Sequence, residues 1–180
     1  MVCPSNAYDA KGLLIQSIRD NDPVIFCEHK NLYASMADVP AEAYAIPFGE
    51  ASIPREGKSA TIVAYGLMVH KALEAAETLA KEKIDVEVID LRTLSPIDID
   101  TVVESVEKTG RLVAVDEANP RCSIAADVIA SVTEHAFKAL KAAPKAITAP
   151  HTPVPFTPAL EDLYIPSAAQ IAEAVRKQMK

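Results

Sequence analysis

Two acidic side chains stand where an apolar run ends and a helical pattern begins. Asp116 and Glu117 follow the run at 112–115 and precede a long helical repeat. The carboxyl ends of strands in open α/β sheets carry the ligand-binding surfaces, so the pair could face a ligand or another subunit. The alternative, which we favour, is a solvated turn whose carboxylates stabilise the amino end of the next helix. Cys122 could be a reactive thiolate there, but Arg121 is its only basic neighbour, so we expect a buried, inert side chain.

A second acidic turn spans residues 17–22. Helix-terminal carbonyl groups together with the carboxylates of Asp20 and Asp22 could bind a cation through oxygen ligands. A plain Asx-type turn before Pro23 explains the same residues, and the residues alone favour this simpler reading.

Motifs of several familiar enzyme classes are missing. The four histidines (His29, His70, His135 and His151) have no metal-ligand spacing, and His70 is expected on a helix surface. Gly-x-Gly-x-x-Gly, Walker and Gly-x-Ser-x-Gly sequences are absent from the chain. The residues therefore give no support to an autonomous hydrolase, metalloenzyme or dinucleotide-dependent enzyme.

Composition narrows the class of protein further. The 180 residues carry a net charge of -7, which disfavours nucleic acid and anionic membranes as partners. No apolar run reaches the roughly 18 residues that a membrane-spanning helix needs, and no signal-peptide pattern opens the sequence. Three widely spaced cysteines indicate reduced thiols, so a cytoplasmic location is expected.

The periodicity from residue 60 onwards predicts alternating strands and helices. The predicted strands are 60–65, 86–91, 112–115 and 146–149, and the predicted helices are about 69–80, 95–109, 125–140 and 167–177. Ser95 is expected to cap the second helix, with Pro96 at its first position and Gly110 at its end. The pattern indicates an α/β fold, three layers with a mostly parallel mixed sheet.

The first 45 residues have a different character. A helix at 8–19 and a strand at 24–27 cannot bury a core by themselves, so we divide the chain into 1–45 and 46–180. Leu13, Leu14 and Ile25 should form an apolar face that packs against a neighbour, and a homo-oligomer is expected. The proline-rich segment 151–156 should run along a surface, as a subunit contact or as a stiff loop.

Several segments together resemble a known family. They are PSNAYDAKGLL at 4–14, IRDNDP at 18–23, EHK at 28–30, VIDLRTLSP at 88–96 and VDEA at 115–118. These segments resemble the beta subunits of the thiamine-diphosphate-dependent 2-oxoacid dehydrogenases. Within that family, NPRCSIAAD at 119–127, HTPVPFTP at 151–158 and LEDLYIP at 160–166 are most similar to the acetoin-cleaving members.

The resemblance implies a transketolase-type C-terminal domain at 46–180, preceded by a remnant of a pyrimidine-binding domain. The family's catalytic and cofactor-binding residues have no counterpart here, so none is assigned. Thiamine diphosphate and magnesium would belong to the intact complex. The family's potassium site would match Ser17, Ile18, Asp20 and Asp22.

The implied partners are a dehydrogenase alpha subunit and a dihydrolipoyl acyltransferase, with Glu161 and Asp162 as candidate docking residues. We expect an assembly role, with no activity from this chain alone. Two alternatives stay open: a beta subunit for pyruvate or branched-chain 2-oxoacids, and a stand-alone, non-catalytic binding module.

Overall fold

The computed structural model describes residues 1–180 and contains five strands and six α-helices. The strands are β1 (Ser52–Arg55), β2 (Ala60–Ala64), β3 (Val86–Asp90), β4 (Leu112–Asp116) and β5 (Lys145–Thr148). The helices are α1 (Ala7–Arg19), α2 (Leu67–Lys81), α3 (Ile99–Thr109), α4 (Ile124–Ala136), α5 (Pro158–Tyr164) and α6 (Ala168–Gln178). Short 3-10 turns occupy Lys30–Leu32 and Phe137–Ala139.

All five strands form one mixed sheet in the order β1-β3-β2-β4-β5. The pairings β2–β3, β2–β4 and β4–β5 are parallel, and β1 pairs antiparallel with β3 at one edge. This architecture confirms the mostly parallel mixed sheet. The sequence analysis missed β1, because four residues with one proline give no apolar run.

Helices cover both faces of the sheet, which completes the three predicted layers. One core joins α2 and α6 to residues such as Ile62, Val88 and Val113. The second joins α3 and α4 to Val63 and Ile89. Every residue of β2, β3 and β4 is buried. Burial on two faces explains why most residues of these strands are apolar, although Thr61 in β2 and Glu87 in β3 are buried polar exceptions.

Two helix boundaries differ from the prediction. Helix α3 begins at Ile99, and its cap is Asp98, whose side chain accepts a hydrogen bond from the Thr101 amide at 3.1 Å. Ser95 therefore does not cap this helix. Gly110 ends it, as predicted, in a left-handed conformation with φ of 76°. Helix α4 ends at Ala136 and not near residue 140, because the chain tightens into the following 3-10 turn.

The N-terminal segment packs onto the rest of the chain. The predicted strand at 24–27 is reduced to a single parallel bridge between Val2 and Phe26, and Val2 also bridges Thr93. Leu13 is fully buried in a small third core with Val2 and Ile46, so it does not belong to the expected exposed face. Leu14 and Ile25 do remain exposed.

None of the helices combines the length and the apolar character that crossing a membrane would require.

Candidate functional site

The carboxyl ends of the three central strands meet at one edge of the sheet. Asp90 is the last residue of β3 and Asp116 the last residue of β4, and both are buried. Tyr65 follows β2 directly. Because parallel strands bring their carboxyl ends together, these three side chains form the centre of the candidate site.

Asp116 is held by three hydrogen bonds. It accepts from the Tyr65 hydroxyl at 2.6 Å, from the Ala118 amide at 2.8 Å and from the Ala125 amide at 3.4 Å. The Ala125 contact lies at the amino end of α4, as we expected for a carboxylate near that helix. The expectation of a solvated turn was wrong for Asp116, which has no exposed surface.

Burial and the Asp116 hydrogen bond together raise the pKa of Tyr65 far above its usual range. Tyr65 is therefore a neutral phenol at any physiological pH, and its hydroxyl donates a hydrogen bond to Asp116. The Tyr65–Asp116 contact fixes two neighbouring strand ends relative to each other.

Glu117 points away from Asp116 and contacts His29. Its two carboxylate oxygens lie 2.9 and 3.1 Å from His29 Nε2. The pair lines a cavity of about 440 Å³ that Glu161 and Tyr164 of α5 also border. The two adjacent acids thus have different roles, since one is internal and the other joins the N-terminal segment to β4.

Asp90 anchors the beginning of the chain to the end of β3. Its carboxylate accepts a hydrogen bond from the Ser5 hydroxyl at 2.5 Å and another from the Arg92 amide at 3.0 Å. Burial raises the pKa of Asp90 to about 6, because desolvation and the nearby charge of Asp9 outweigh the two hydrogen bonds and the Arg92 charge. Asp90 therefore titrates near neutral pH.

An ion pair completes this anchor. The Arg92 guanidinium lies 2.8 Å from the buried Asp9 carboxylate, which also accepts from the Asn6 side chain at 2.6 Å. Sequence reasoning missed Asp90, Asp9 and Ser5 as site residues. The available signal was that Asp90 ends an apolar strand run just as Asp116 does.

All three cysteines are free thiols, in agreement with the expectation of reduced cysteines. Burial, with nearby Cys27 and Asp90 adding to it, raises the pKa of Cys3 to about 12, so Cys3 stays a protonated thiol. Cys122 is exposed, and its φ of 52° lies in the left-handed region. The expectation that Cys122 is buried was wrong, because the turn before α4 directs it outward.

The Ser17–Asp22 turn is a self-contained hydrogen-bonded structure. The Ser17 hydroxyl donates to the Leu13 carbonyl at 2.7 Å, and the Asp22 amide donates to the Asp20 carboxylate at 2.9 Å. The second contact is that of an Asx turn. No cluster of three or more His, Cys, Asp or Glu side chains with metal-binding geometry occurs in the structure.

Lys11 and Gly12 of α1 both contact the segment at 40–46. The Lys11 ammonium donates to the carbonyl groups of Pro40, Ala41 and Glu42. A side chain at Gly12 would lie 2.6 Å from the Ile46 side chain, so only glycine allows this close approach.

Helix α5 carries the two candidate docking residues. Glu161 and Asp162 are both exposed, and Leu160, Leu163 and the preceding Phe156 are exposed beside them. The sequence analysis did not predict α5, because its apolar side chains face outward and not toward a core. Helix α5 thus exposes both apolar side chains and two carboxylates.

The remaining histidines form no cluster with these groups. His70 lies on the surface of α2, as expected, and its Nε2 is 2.7 Å from the Ser5 carbonyl oxygen. Taken together, the polar groups at the carboxyl end of the sheet contact each other and the N-terminal segment. Their geometry is suited to joining segments of polypeptide.

The chain matches the family model of the transketolase C-terminal domain over residues 49–171. It is 71% identical over 180 residues to acetoin:2,6-dichlorophenolindophenol oxidoreductase subunit beta of Cupriavidus necator, covering all of this chain and 53% of that protein. The corresponding subunit of Bacillus subtilis is 54% identical over 170 residues, which are 94% of this chain and 50% of that protein.

A pyruvate dehydrogenase E1 component subunit beta of Bacillus subtilis is 48% identical over 181 residues, covering all of this chain and 55% of that protein. The chain thus spans about half the length of these curated relatives. Among solved structures, a split-gene transketolase described as an inactive beta4 tetramer has a TM-score of 0.79 and 28% identity. That match covers 99% of this chain and 56% of the transketolase chain.

Proposed function

The chain belongs to the transketolase C-terminal domain family, and we propose that it forms the C-terminal part of a beta subunit in an acetoin dehydrogenase complex. The intact complex would cleave acetoin with thiamine diphosphate and magnesium, passing an acetyl group to lipoamide and releasing acetaldehyde. The role proposed for this chain is assembly: contact with an alpha subunit, with other copies of the subunit and with the dihydrolipoyl acyltransferase. We propose that it has no activity alone and that it acts in the cytoplasm.

The 71% identity to an acetoin oxidoreductase beta subunit over the whole chain carries this proposal. The identity to a pyruvate dehydrogenase beta subunit is lower, at 48%. That difference favours acetoin over pyruvate or a branched-chain 2-oxoacid. A stand-alone binding module is disfavoured because the match includes the N-terminal residues as well as the domain.

Thiamine diphosphate would supply the carbon–carbon bond chemistry in the intact complex. The described side chains contribute a different property, which is a firm connection between polypeptide segments. Ser5, Asp9, Asp90 and Arg92 join residues 1–45, the proposed remnant of a pyrimidine-binding domain, to the proposed domain at 46–180. A potassium ion at Ser17, Ile18, Asp20 and Asp22 remains part of the proposal.

Activity measurements test the assembly role. The chain, supplied with magnesium and thiamine diphosphate, should show no acetoin-dependent reduction of 2,6-dichlorophenolindophenol and no cofactor binding by calorimetry. Added to a complete complex, an excess of the chain should lower acetoin oxidation by competing for the partners of the beta subunit. Dye reduction by the chain alone would refute the assembly role.

The acyltransferase contact has its own test. Glu161 and Asp162 are exposed carboxylates on α5, so a basic partner surface would gain charge pairing with them. Reversal of both charges to lysine should weaken capture by the acyltransferase. A matched control reverses the exposed Glu77 and Glu104 on α2 and α3, which changes the net charge equally and should leave capture unchanged.

A further inference from the structure

Cys3 and Cys27 are neighbours across a contact between two extended segments. Val2 and Phe26 form a parallel bridge. The Val2 amide donates to the Ile25 carbonyl, and the Cys27 amide donates to the Val2 carbonyl, both at 2.9 Å. Residues 3 and 27 are the next pair in this register. Strands joined in this way lie about 4.8 Å apart, which is within the range of about 4.4–6.8 Å between the Cα atoms of disulfide-bonded cysteines.

The two cysteine side chains lie on the same side of this contact. Successive side chains of an extended segment point to opposite faces. Val2 and Phe26 pack in the small third core, whereas Cys3 and Cys27 pack in the core that contains α3 and α4. The pKa of the Cys3 thiol is raised partly by the nearby Cys27 thiol, which agrees with this placement. The pair therefore has the arrangement that a cross-strand disulfide needs.

The two thiols differ in their access to solvent. Cys3 is 8% exposed, and its sulfur atom would lie 3.2 Å from a Cβ atom added at Gly66. Cys27 is only partly buried. A dissolved oxidant therefore reaches Cys27 first, while the enclosed Cys3 can react only with a neighbouring group of the protein. Redox-sensing cysteines commonly combine an accessible thiol with an adjacent resolving thiol in this way.

We propose that Cys3 and Cys27 form a redox-sensitive pair, which hydrogen peroxide converts into an intrachain disulfide. The Cys27 thiolate attacks one peroxide oxygen. An S–O bond forms, the O–O bond breaks, and the departing hydroxide takes up the proton that Cys27 released. The Cys3 sulfur then attacks the Cys27 sulfur, the S–O bond breaks, and the second hydroxide takes the Cys3 proton. Two thiols and one peroxide thus give one disulfide and two water molecules.

The disulfide fastens the first residues of the chain to the segment that follows α1. It closes a loop that contains all of α1 and joins the two sides of the Val2–Phe26 bridge covalently. Such a closure removes conformations of the open state and so opposes opening. Cys27 also stands two residues before His29, which contacts Glu117 just after β4, so oxidation holds this second connection in place. In a reducing cytoplasm the bond is transient, as in other cytosolic redox sensors.

Peroxide treatment of the folded chain, followed by mass spectrometry, tests the pair. Trypsin separates the three cysteines, because the peptides 1–11, 20–30 and 122–138 each contain one of them. After equimolar peroxide, and alkylation of the remaining thiols in denaturant, peptides 1–11 and 20–30 should be joined with the loss of two hydrogen atoms. Dithiothreitol should return both peptides to alkylatable thiols. Exchange of the Val2 amide hydrogen should slow by at least about tenfold in the oxidised chain.

Matched variants separate this pair from the third thiol. Cys122→Ser should form the disulfide as fast as the parent, since Cys122 is exposed and lies outside the bridge. Cys3→Ser should stop at a Cys27 sulfenic acid that dimedone traps, and Cys27→Ser should leave the enclosed Cys3 unmodified. Circular dichroism checks that each variant is folded, and the peptide link in the parent decides the question if one is not.

Four results would each overturn the proposal. They are two thiols that stay alkylatable, oxidation of Cys27 to sulfinic acid without a link to Cys3, links that involve only Cys122, and a link that forms equally fast in concentrated urea, where the bridge is absent. The experiment needs no acetoin, thiamine diphosphate or acyltransferase. Its failure is therefore distinct from failure of the proposed function.

Discussion

Asp90→Asn is expected to make the protein more stable at neutral pH. The Asp90 carboxylate is 1% exposed at the end of β3 and accepts hydrogen bonds from Ser5 and the Arg92 amide. An asparagine has the same shape and keeps an oxygen for the Arg92 amide. In asparagine, an NH2 group replaces the carboxylate oxygen that accepts from Ser5. The Ser5 hydroxyl therefore loses its acceptor, at a cost of about 1 kcal/mol of folding stability.

The size of the expected stability difference between Asp90→Asn and the parent follows from the raised pKa of Asp90. A change from its ordinary value of 3.8 to about 6 corresponds to about 3 kcal/mol between the two protonation states. Because the folded state favours the protonated carboxyl, the stability that Asp90 contributes is fully present below about pH 4. It is lost as the pH rises through about 6. Relative to the parent, Asp90→Asn should be about 1 kcal/mol less stable at pH 4 and about 2 kcal/mol more stable at pH 7.5.

Urea unfolding followed by circular dichroism at several pH values between 4 and 7.5 measures this difference. Glu87→Gln is a suitable control, because its buried carboxylate has the opposite behaviour. The pKa of Glu87 lies below its ordinary value. Burial alone would raise this pKa, but hydrogen bonds, among them those from Lys108 and the Gly57 amide, outweigh that effect. Glu87→Gln should therefore be less stable than the parent, with a deficit that stays constant from about pH 5.5 to 7.5. A difference between Asp90→Asn and the parent that is constant or falls as pH rises would refute the reasoning.

Three further predictions use the same unfolding assay or limited proteolysis. Gly57→Ala should lower stability by about 2 kcal/mol or more, because its Cβ would lie 2.2 Å from the Val86 carbonyl carbon; an unchanged urea midpoint would contradict this close approach. Tyr65→Phe should cost about 1–2 kcal/mol by removing the hydroxyl donor to buried Asp116, and a neutral effect would show that this contact stabilises nothing. Lys11→Met should speed proteolysis near residues 40–42 while the global midpoint changes little, since the lysine contacts only these carbonyl groups and the nearby Tyr44 ring.

The core of the fold could be predicted because its physical signals are local. Three strands buried on both faces are mostly apolar, and the apolar residues of the helices that cover them recur every three to four positions. Strand β1 and helix α5 could not be predicted in this way. Strand β1 is short and contains a proline, and α5 exposes the apolar residues that would have revealed a buried face.

The candidate site was predicted only in part. Asp116 and Glu117 were found because they directly follow an apolar run. Their hydrogen-bond partners could not be predicted, because these partners lie far away in the sequence. Tyr65 is 51 positions from Asp116, and His29 is 88 positions from Glu117. Ser5 and Asp90 are 85 positions apart, and neither residue type by itself indicates such a contact. Pairings between remote polar side chains are set by the assembled sheet and have no local pattern.

The N-terminal residues also constrain the order in which the chain folds. Val2 bridges Phe26 and Thr93, and the Cys3 amide donates to the Arg92 carbonyl at 2.8 Å. Contacts across some ninety positions carry a large loop-closure entropy and form late unless other structure first brings their ends together. The pairing of β2 with β3 and the packing of α2 against both strands span much shorter separations, so these elements provide that template. We therefore expect residues 1–9 to dock last and to open first. Amide hydrogens of Val2 and Cys3 should exchange through this partial opening, whereas those of β2 should require global unfolding.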